Sequence, residues 1–216
     1  MAEHTSDANA EDEALLAAWI DGDRSASEKL VRRHYRSIFL FFFNKVGQDR
    51  AADLTQSTFE TLCAKRVQFR GDATVRTYLF GIARWKLVEH LRKIRGRNFD
   101  PLEDSAELPQ VARSVTSLFA DRQEEALVVQ ALRALSLDDQ LLLELKDYEG
   151  MTSRELAAMY DVPRNTMSGR ITRARERLAA KVRELASSAK LVESTLTGLD
   201  EHMARIRDRL ARQSAH

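Results

Sequence analysis

Residues 149–178, EGMTSRELAAMYDVPRNTMSGRITRARERL, place a helix start, a short turn and a basic second helix in immediate succession. Thr152 and Glu155 have the spacing of a capping box, in which each side chain satisfies a backbone N–H of the other residue. Leu156, Ala157 and Tyr160 share one apolar face of that first helix. Asp161, Val162 and Pro163 break the register, because the residue before a proline is pushed out of the α region while proline itself suits a first helical turn. In the helix that follows, Met167, Ile171, Ala174 and Leu178 recur four, three and four residues apart and predict a buried stripe. Arg164, Asn165, Thr166, Ser168, Arg170, Arg173, Arg175 and Arg177 fall off that stripe. A cationic face with small polar residues near the helix start suits the DNA major groove, where arginines meet phosphates and guanine edges. An arginine-rich run alone is often only a solvated face, but the capped, proline-punctuated hairpin makes this one a helix-turn-helix. Gly169 inside the second helix costs about 1 kcal/mol relative to alanine.

Working outward, the 216-residue chain has only eight glycines and three prolines, which favours an all-α fold of two small helical domains. No apolar run approaches the length of a membrane span, and the acidic start, with five acids and no Lys or Arg in Met1–Glu13, is unlike a signal peptide; a cytoplasmic protein without membrane insertion is expected. The single cysteine, Cys63, excludes an internal disulfide and is expected in the core. The net charge of +1 conceals two basic blocks, Arg84–Arg97 with six Lys/Arg against one Glu, and the second helix of the hairpin. Local patches of this kind, more than the total, set attraction to phosphate.

Residues 1–10 are polar and expected to be unstructured. A helix from Glu11 to Asp21 carries Leu15, Leu16, Trp19 and Ile20 on one face. Ser25 and Glu28 form a second candidate capping box, opening a helix to about Val46 whose FLFFF run, Phe39–Phe43, should be buried on more than one side. Asp49 can cap a third helix to about Arg66, with Leu54, Thr58, Leu62 and Cys63 inward and Asp53, Gln56, Ser57 and Glu60 outward, Phe59 lying near that polar surface. After a loop, KRVQFRGD, Thr74 caps a fourth helix to about Ile94. Its exposed side is expected to carry Arg76, Tyr78, Arg84, Trp85, Lys86, His90, Arg92 and Lys93, aromatics interleaved with cations, as single-stranded nucleic acid requires. The competing reading is that Tyr78 and Trp85 are core. Residues 96–120 include the acidic stretch FDPLEDSAEL and read as a flexible linker, with room for a short helix near Ala112–Phe119. From 187 to 216, Val192, Leu196, Leu199, Met203, Ile206 and Leu210 alternate four and three apart, an amphipathic helical extension weakened at Gly198 and expected to pack on the second domain.

Three stretches in this order, RAADLTQSTFETL (50–62), FRGDATVRTYLFGIARWKLVEHLRK (69–93) and residues 149–178, resemble the extracytoplasmic-function group of bacterial sigma factors, the promoter-recognition subunits of RNA polymerase. The resemblance covers roughly residues 11–186. It implies a polymerase-binding and −10-melting domain at 11–95, an acidic linker at 96–120 and a −35-binding domain at 121–186, with 187–216 outside the family plan. It further implies that Asp53, Gln56, Phe59 and Glu60 meet the clamp coiled coil of core polymerase. Arg76, Tyr78, Arg84, Trp85, Lys86 and His90, with the Lys65–Gly71 loop, would hold the melted −10 strand. Arg164, Asn165, Thr166, Ser168, Arg170 and Arg173 would enter the duplex −35 groove. An anti-sigma protein or other regulator is the further partner implied. The sequence departs from many relatives at Tyr78, where they carry tryptophan, at Trp85, where they carry asparagine, and in the Asn165–Gly169 run. A stand-alone helix-turn-helix regulator is the alternative. No catalytic residue, metal or cofactor is expected: the five histidines are scattered and neither metal-ligand spacing nor a glycine-rich phosphate loop is present.

Overall fold

A computed structural model describes residues 2–96, 98–105, 119 and 121–213, and the described residues are helical apart from turns and loops. The first domain holds α1 (Ala2–Ile20), α2 (Arg24–Val46), α3 (Gln48–Lys65), a 3-10 turn (Arg66–Gln68) and α4 (Val75–Arg95). The second holds α5 (Gln123–Arg133), α6 (Leu137–Asp147), α7 (Ser153–Met159) and α8 (Arg164–Leu185), followed by the extension, α9 (Ala189–Thr197) and α10 (Leu199–Gln213).

Local chemistry sets most boundaries. Thr74 accepts from Thr77 N and Thr152 forms the full capping box with Glu155, both as the spacing predicts. Asp161 turns the chain between α7 and α8 at φ 50°, a left-handed conformation that Asp tolerates better than most residues. Gly198 separates α9 from α10, so the apolar repeat of the extension folds as two helices.

Several expectations are corrected. Residues from Ala2 onward are helical where an unstructured segment was expected; Arg33 of α2 holds that helix through Asp12 at 2.8 Å, Glu11 at 2.7 Å and the Ala8 carbonyl. The cap of α2 is Asp23, two residues ahead of the Ser25–Glu28 pair, and its carboxylate accepts from Ser25 N at 2.8 Å. Helix α3 starts at Gln48 with Asp49 inside its first turn. Cys63 is exposed and Phe59 is only 9% exposed, the reverse of their expected faces. The described start of the linker is packed: Phe99 is buried, Leu137 N donates to Asp104 O at 2.8 Å and Asp138 N to Pro101 O at 2.9 Å, so the acidic turn caps the start of α6. The short helix expected near 112–119 lies, apart from Phe119, outside the described residues.

The aromatic run of α2 divides by face. Phe41 and Phe42 are buried, with Phe41 edge-on to Phe80 of α4 at 5.6 Å, whereas Phe39 and Phe43 stack along the half-buried side. Beside them, Asp12 and His34 form a buried pair at 2.6 Å. Burial alone would raise the Asp12 carboxyl, but His34 and Arg33 outweigh it and hold it below its ordinary 3.8. A carboxyl depressed on folding stabilises the native state above its unfolded value and loses that contribution as pH falls through the lower folded one. Acidification below about pH 3.8 is therefore expected to release α1 first. Trp19 of α1, which sits under the Arg66 guanidinium at 5.3 Å, reports this as a fluorescence change in a Trp85→Phe background. Asp12→Asn should remove that acid-dependent step.

Candidate nucleic-acid interface

Helix α8 keeps its stripe inside and its start outside. Met167, Ile171, Ala174 and Leu178 are buried, joined by Val182, while Arg164, Asn165, Thr166, Ser168 and Arg173 are exposed and Arg170 is half-buried. The first turn of α8 thus projects as a polar, cationic tip on a packed base. Farther along, Arg177 is bonded to Asp139 at 2.5 and 2.7 Å, and Arg175 to Asp147 at 2.7 Å and Asp200 at 3.0 Å. These two arginines brace the helix against its own domain, so Arg164, Arg170 and Arg173 carry the outward charge. A hollow of about 530 Å³ runs along this side, bounded by Arg170, Arg173, the first turn of α6 and Leu102 of the linker turn.

The face of α4 is divided in a way its spacing did not reveal. Trp85 is 56% exposed, with the Lys86 ammonium 5.0 Å from its ring centre. The reading of Trp85 as core is thereby excluded. Trp85, Val88, Glu89, Arg92 and Lys93 line a hollow of about 340 Å³, and their one-turn spacing along α4 is the signal that could have added Val88 and Glu89 to the candidate site. Tyr78 is half-buried and packs on Phe69 of the preceding loop at 5.4 Å. His90 is half-buried and held below its ordinary value, first by burial and then by Arg50 and Lys93, so it is neutral at pH 7 and adds no cation to this face.

Arg76 and Arg84 leave the face altogether. Arg76 bonds the Glu149 carboxylate at 2.7 Å and the Glu149 carbonyl, and Arg84 bonds Asp138 at 2.6 Å with its guanidinium 4.5 Å from the Tyr160 ring centre. Burial opposes the Arg84 charge, yet Tyr160 and Asp138 more than offset it and raise its pKa. Burial likewise pushes the Tyr160 hydroxyl up. Both arginines are spent on the second domain.

On α3, Asp53, Gln56 and Glu60 are exposed on one edge, with Gln56 donating to Glu60 at 2.8 Å and Arg50 to Asp53 at 3.1 Å. Phe59 does not share their exposure; it stacks on Tyr35 of α2 at 6.4 Å and supports the edge from beneath.

Comparison with known proteins places these two faces in a family. The Sigma-70 region 2 model matches residues 30–97, which include α3 and α4, and the Sigma-70 region 4 model matches 125–178, which include the helix-turn-helix. The ECF RNA polymerase sigma factor SigM of Mycobacterium tuberculosis is 30% identical over 171 residues, covering 78% of this chain and 83% of that protein. The ECF RNA polymerase sigma-E factor of Haemophilus influenzae is 27% identical over 183 residues, 81% of this chain and 96% of that protein. Among solved structures, CnrH in complex with the cytosolic domain of CnrY aligns with a TM-score of 0.59 at 23% identity, over 82% of this chain and 99% of that one. The sigma factor RpoE in complex with the anti-sigma factor NepR from Bartonella quintana aligns with a TM-score of 0.53 at 24% identity, over 74% and 98%. These two structural likenesses concern the fold, a two-domain helical architecture. Two promoter-recognition regions in family order, with a relative at 30% identity covered over 83% of its length, show that the chain belongs to the ECF sigma factors of RNA polymerase.

Proposed function

We propose that this sigma factor docks on core polymerase through the exposed edge of α3, Asp53, Gln56 and Glu60, with Phe59 and Tyr35 as its apolar support. The 11–95 domain traps the melted −10 strand and the 121–186 domain reads the −35 duplex. Trp85 stacks on an unpaired base in the hollow along α4, while Lys86 and, once released from the second domain, Arg76 and Arg84 track phosphates. Tyr78 backs this platform and His90 offers a neutral hydrogen-bonding edge. Arg164, Asn165, Thr166, Ser168, Arg170 and Arg173 enter the major groove.

The observation that carries this reading is the exposed Trp85 beside its hollow, on the same chain as an exposed helix-turn-helix tip. Strand opening is then driven by binding, since unstacking costs a few kcal/mol and the flipped bases regain it by stacking on the protein. The factor acts without catalysis of its own, in the cytoplasm with its polymerase, and is held off by an anti-sigma protein that clamps its two domains.

Run-off transcription with purified core polymerase on the host's promoter fragments tests the reading: new start sites sharing two upstream elements are expected, and polymerase-free footprints with no transcript would favour a stand-alone regulator. Within that assay, Arg173→Ala should weaken −35 duplex binding about equally across sequences. Its log–log salt slope should fall by about 0.9 if one phosphate contact is lost. An unchanged slope in a salt titration would remove Arg173 from the phosphate set.

A further inference from the structure

The extension outside both family matches lies on the seam between the domains. Helix α10 buries Met203, Ile206 and Leu210 and packs against α5 and α6 of the second domain and α2 of the first. Arg205 bonds Glu125, itself 3% exposed, at 2.7 Å; Arg209 bonds Asp121 at 3.0 Å and lies over the Phe119 ring. At the far end Arg207 and Leu210 meet Leu40 and Phe41 of α2, Glu144 of α6 and Tyr148 just past that helix around a residual hollow of only about 30 Å³. Helix α9 packs on α5 and α8, and Asp200 at the start of α10 holds Arg175 of the recognition helix.

Beneath this seam the domains are closed face to face. Gly81 of α4 approaches α7 so nearly that a Cβ there would stand 3.7 Å from Met159. Arg76 and Arg84 are bonded across the same contact. A chain in this arrangement offers Trp85 to a DNA strand but withholds the two arginines beside it.

We propose that the α9–α10 hairpin is an intramolecular latch that holds the two domains closed and so keeps Arg76 and Arg84 from the −10 strand until the latch is displaced. The inference rests on the reading of α4 as the single-strand face. Affinity for the strand is then that of the open chain multiplied by the fraction of chains that are open, so loosening the latch raises it without any change at the DNA-contacting residues.

The test uses the full chain labelled for energy transfer at native Cys63 on α3 and at an introduced Glu176→Cys on α8, both exposed positions. Leu210→Glu puts a carboxylate into the seam. Arg207→Glu, at an exposed residue, adds one beside it without touching a core, so a misfolded Leu210→Glu chain would not decide the matter. Both variants are expected to lower energy transfer and to tighten binding of a fluorescent non-template −10 oligonucleotide in the absence of polymerase, Leu210→Glu by about tenfold or more if at least nine-tenths of chains are closed. Unchanged energy transfer in the folded variants overturns the latch. Reduced energy transfer with no gain in oligonucleotide binding supports the latch and overturns the reading of α4.

Discussion

Lys45→Met, with Glu144 left in place, is expected to be the most damaging single change to the closed chain, by about 3–5 kcal/mol, because it strands a buried carboxylate. Lys45 is 2% exposed and its ammonium bonds Glu144 at 2.5 Å, Asn44 Oδ1 at 2.7 Å and the Phe41 carbonyl at 2.8 Å. Asn44 and Gln140 donate to the other Glu144 oxygen at 3.1 and 2.9 Å, and Arg133 donates to the Asn44 carbonyl at 2.9 Å. Burial pulls the Lys45 pKa down and the Glu144 carboxylate pulls it back only in part. The cluster joins α2 to α6 across the two domains, which gives the stranded carboxylate a second outlet: the domains can part and hydrate it. The variant is accordingly expected to lower the urea midpoint and to increase the distance between the domains. Lys45→Met combined with Glu144→Met should recover most of the loss, since replacing both members of a buried pair by apolar groups is often near neutral. A single variant within about 1 kcal/mol of the parent, with no change in interdomain distance, would show the pair to be dispensable.

What the sequence discloses about this protein is what acts within one or two helical turns. The stripe of α8 and the Thr152–Glu155 box depend on residues three or four apart, and both stand as the spacing predicts. Where two residues compete within that range, spacing does not choose: Asp23 and Ser25 both suit a helix cap, and the former holds the position. Helix α3 illustrates the next level. Ala51, Thr55, Thr58, Phe59 and Leu62 are its buried set, and Phe59 rather than Cys63 completes it because Tyr35 of another helix offers Phe59 a ring to stack on. That partner lies 24 positions upstream, outside any periodicity of α3 itself.

The candidate site repeats this division. Trp85 and the tip of α8 are exposed as their polar neighbours suggest, whereas Arg76 and Arg84 are diverted by Glu149 and Asp138, 73 and 54 residues away. A basic face can be read from composition, but the acids that cover it in the closed state belong to another domain. The same holds for the start of the chain, where Arg33 organises residues 8–12 from 21 to 25 positions away. Even so, the fold class and the two faces proposed to meet DNA follow from local pattern, because each face lies along one helix, α4 or α8.

Trp85→Ala should give the largest functional loss of any single change on α4. Stacking of a base on an aromatic side chain is worth about 1–3 kcal/mol by alanine substitution. Loss of one such platform corresponds to roughly 5–150-fold in an equilibrium. The ring is 56% exposed in the closed chain and gives up little packing when removed, so the effect is expected in DNA binding and not in folding. Trp85→Phe should retain much of the wild-type affinity, since it keeps a π-face at the mouth of the hollow formed with Val88 and Arg92. The measurement is the equilibrium fraction of open complex, read by permanganate reactivity of −10 thymines, beside the affinity of the same variants for a −35 duplex. Loss of the first with the second intact assigns Trp85 to the melted strand, because the helix-turn-helix lies on another domain. If Trp85→Ala instead left open complex unchanged, the hollow on α4 would not be where the base is held, and the Tyr78–Phe69 pair would become the next aromatic platform to test.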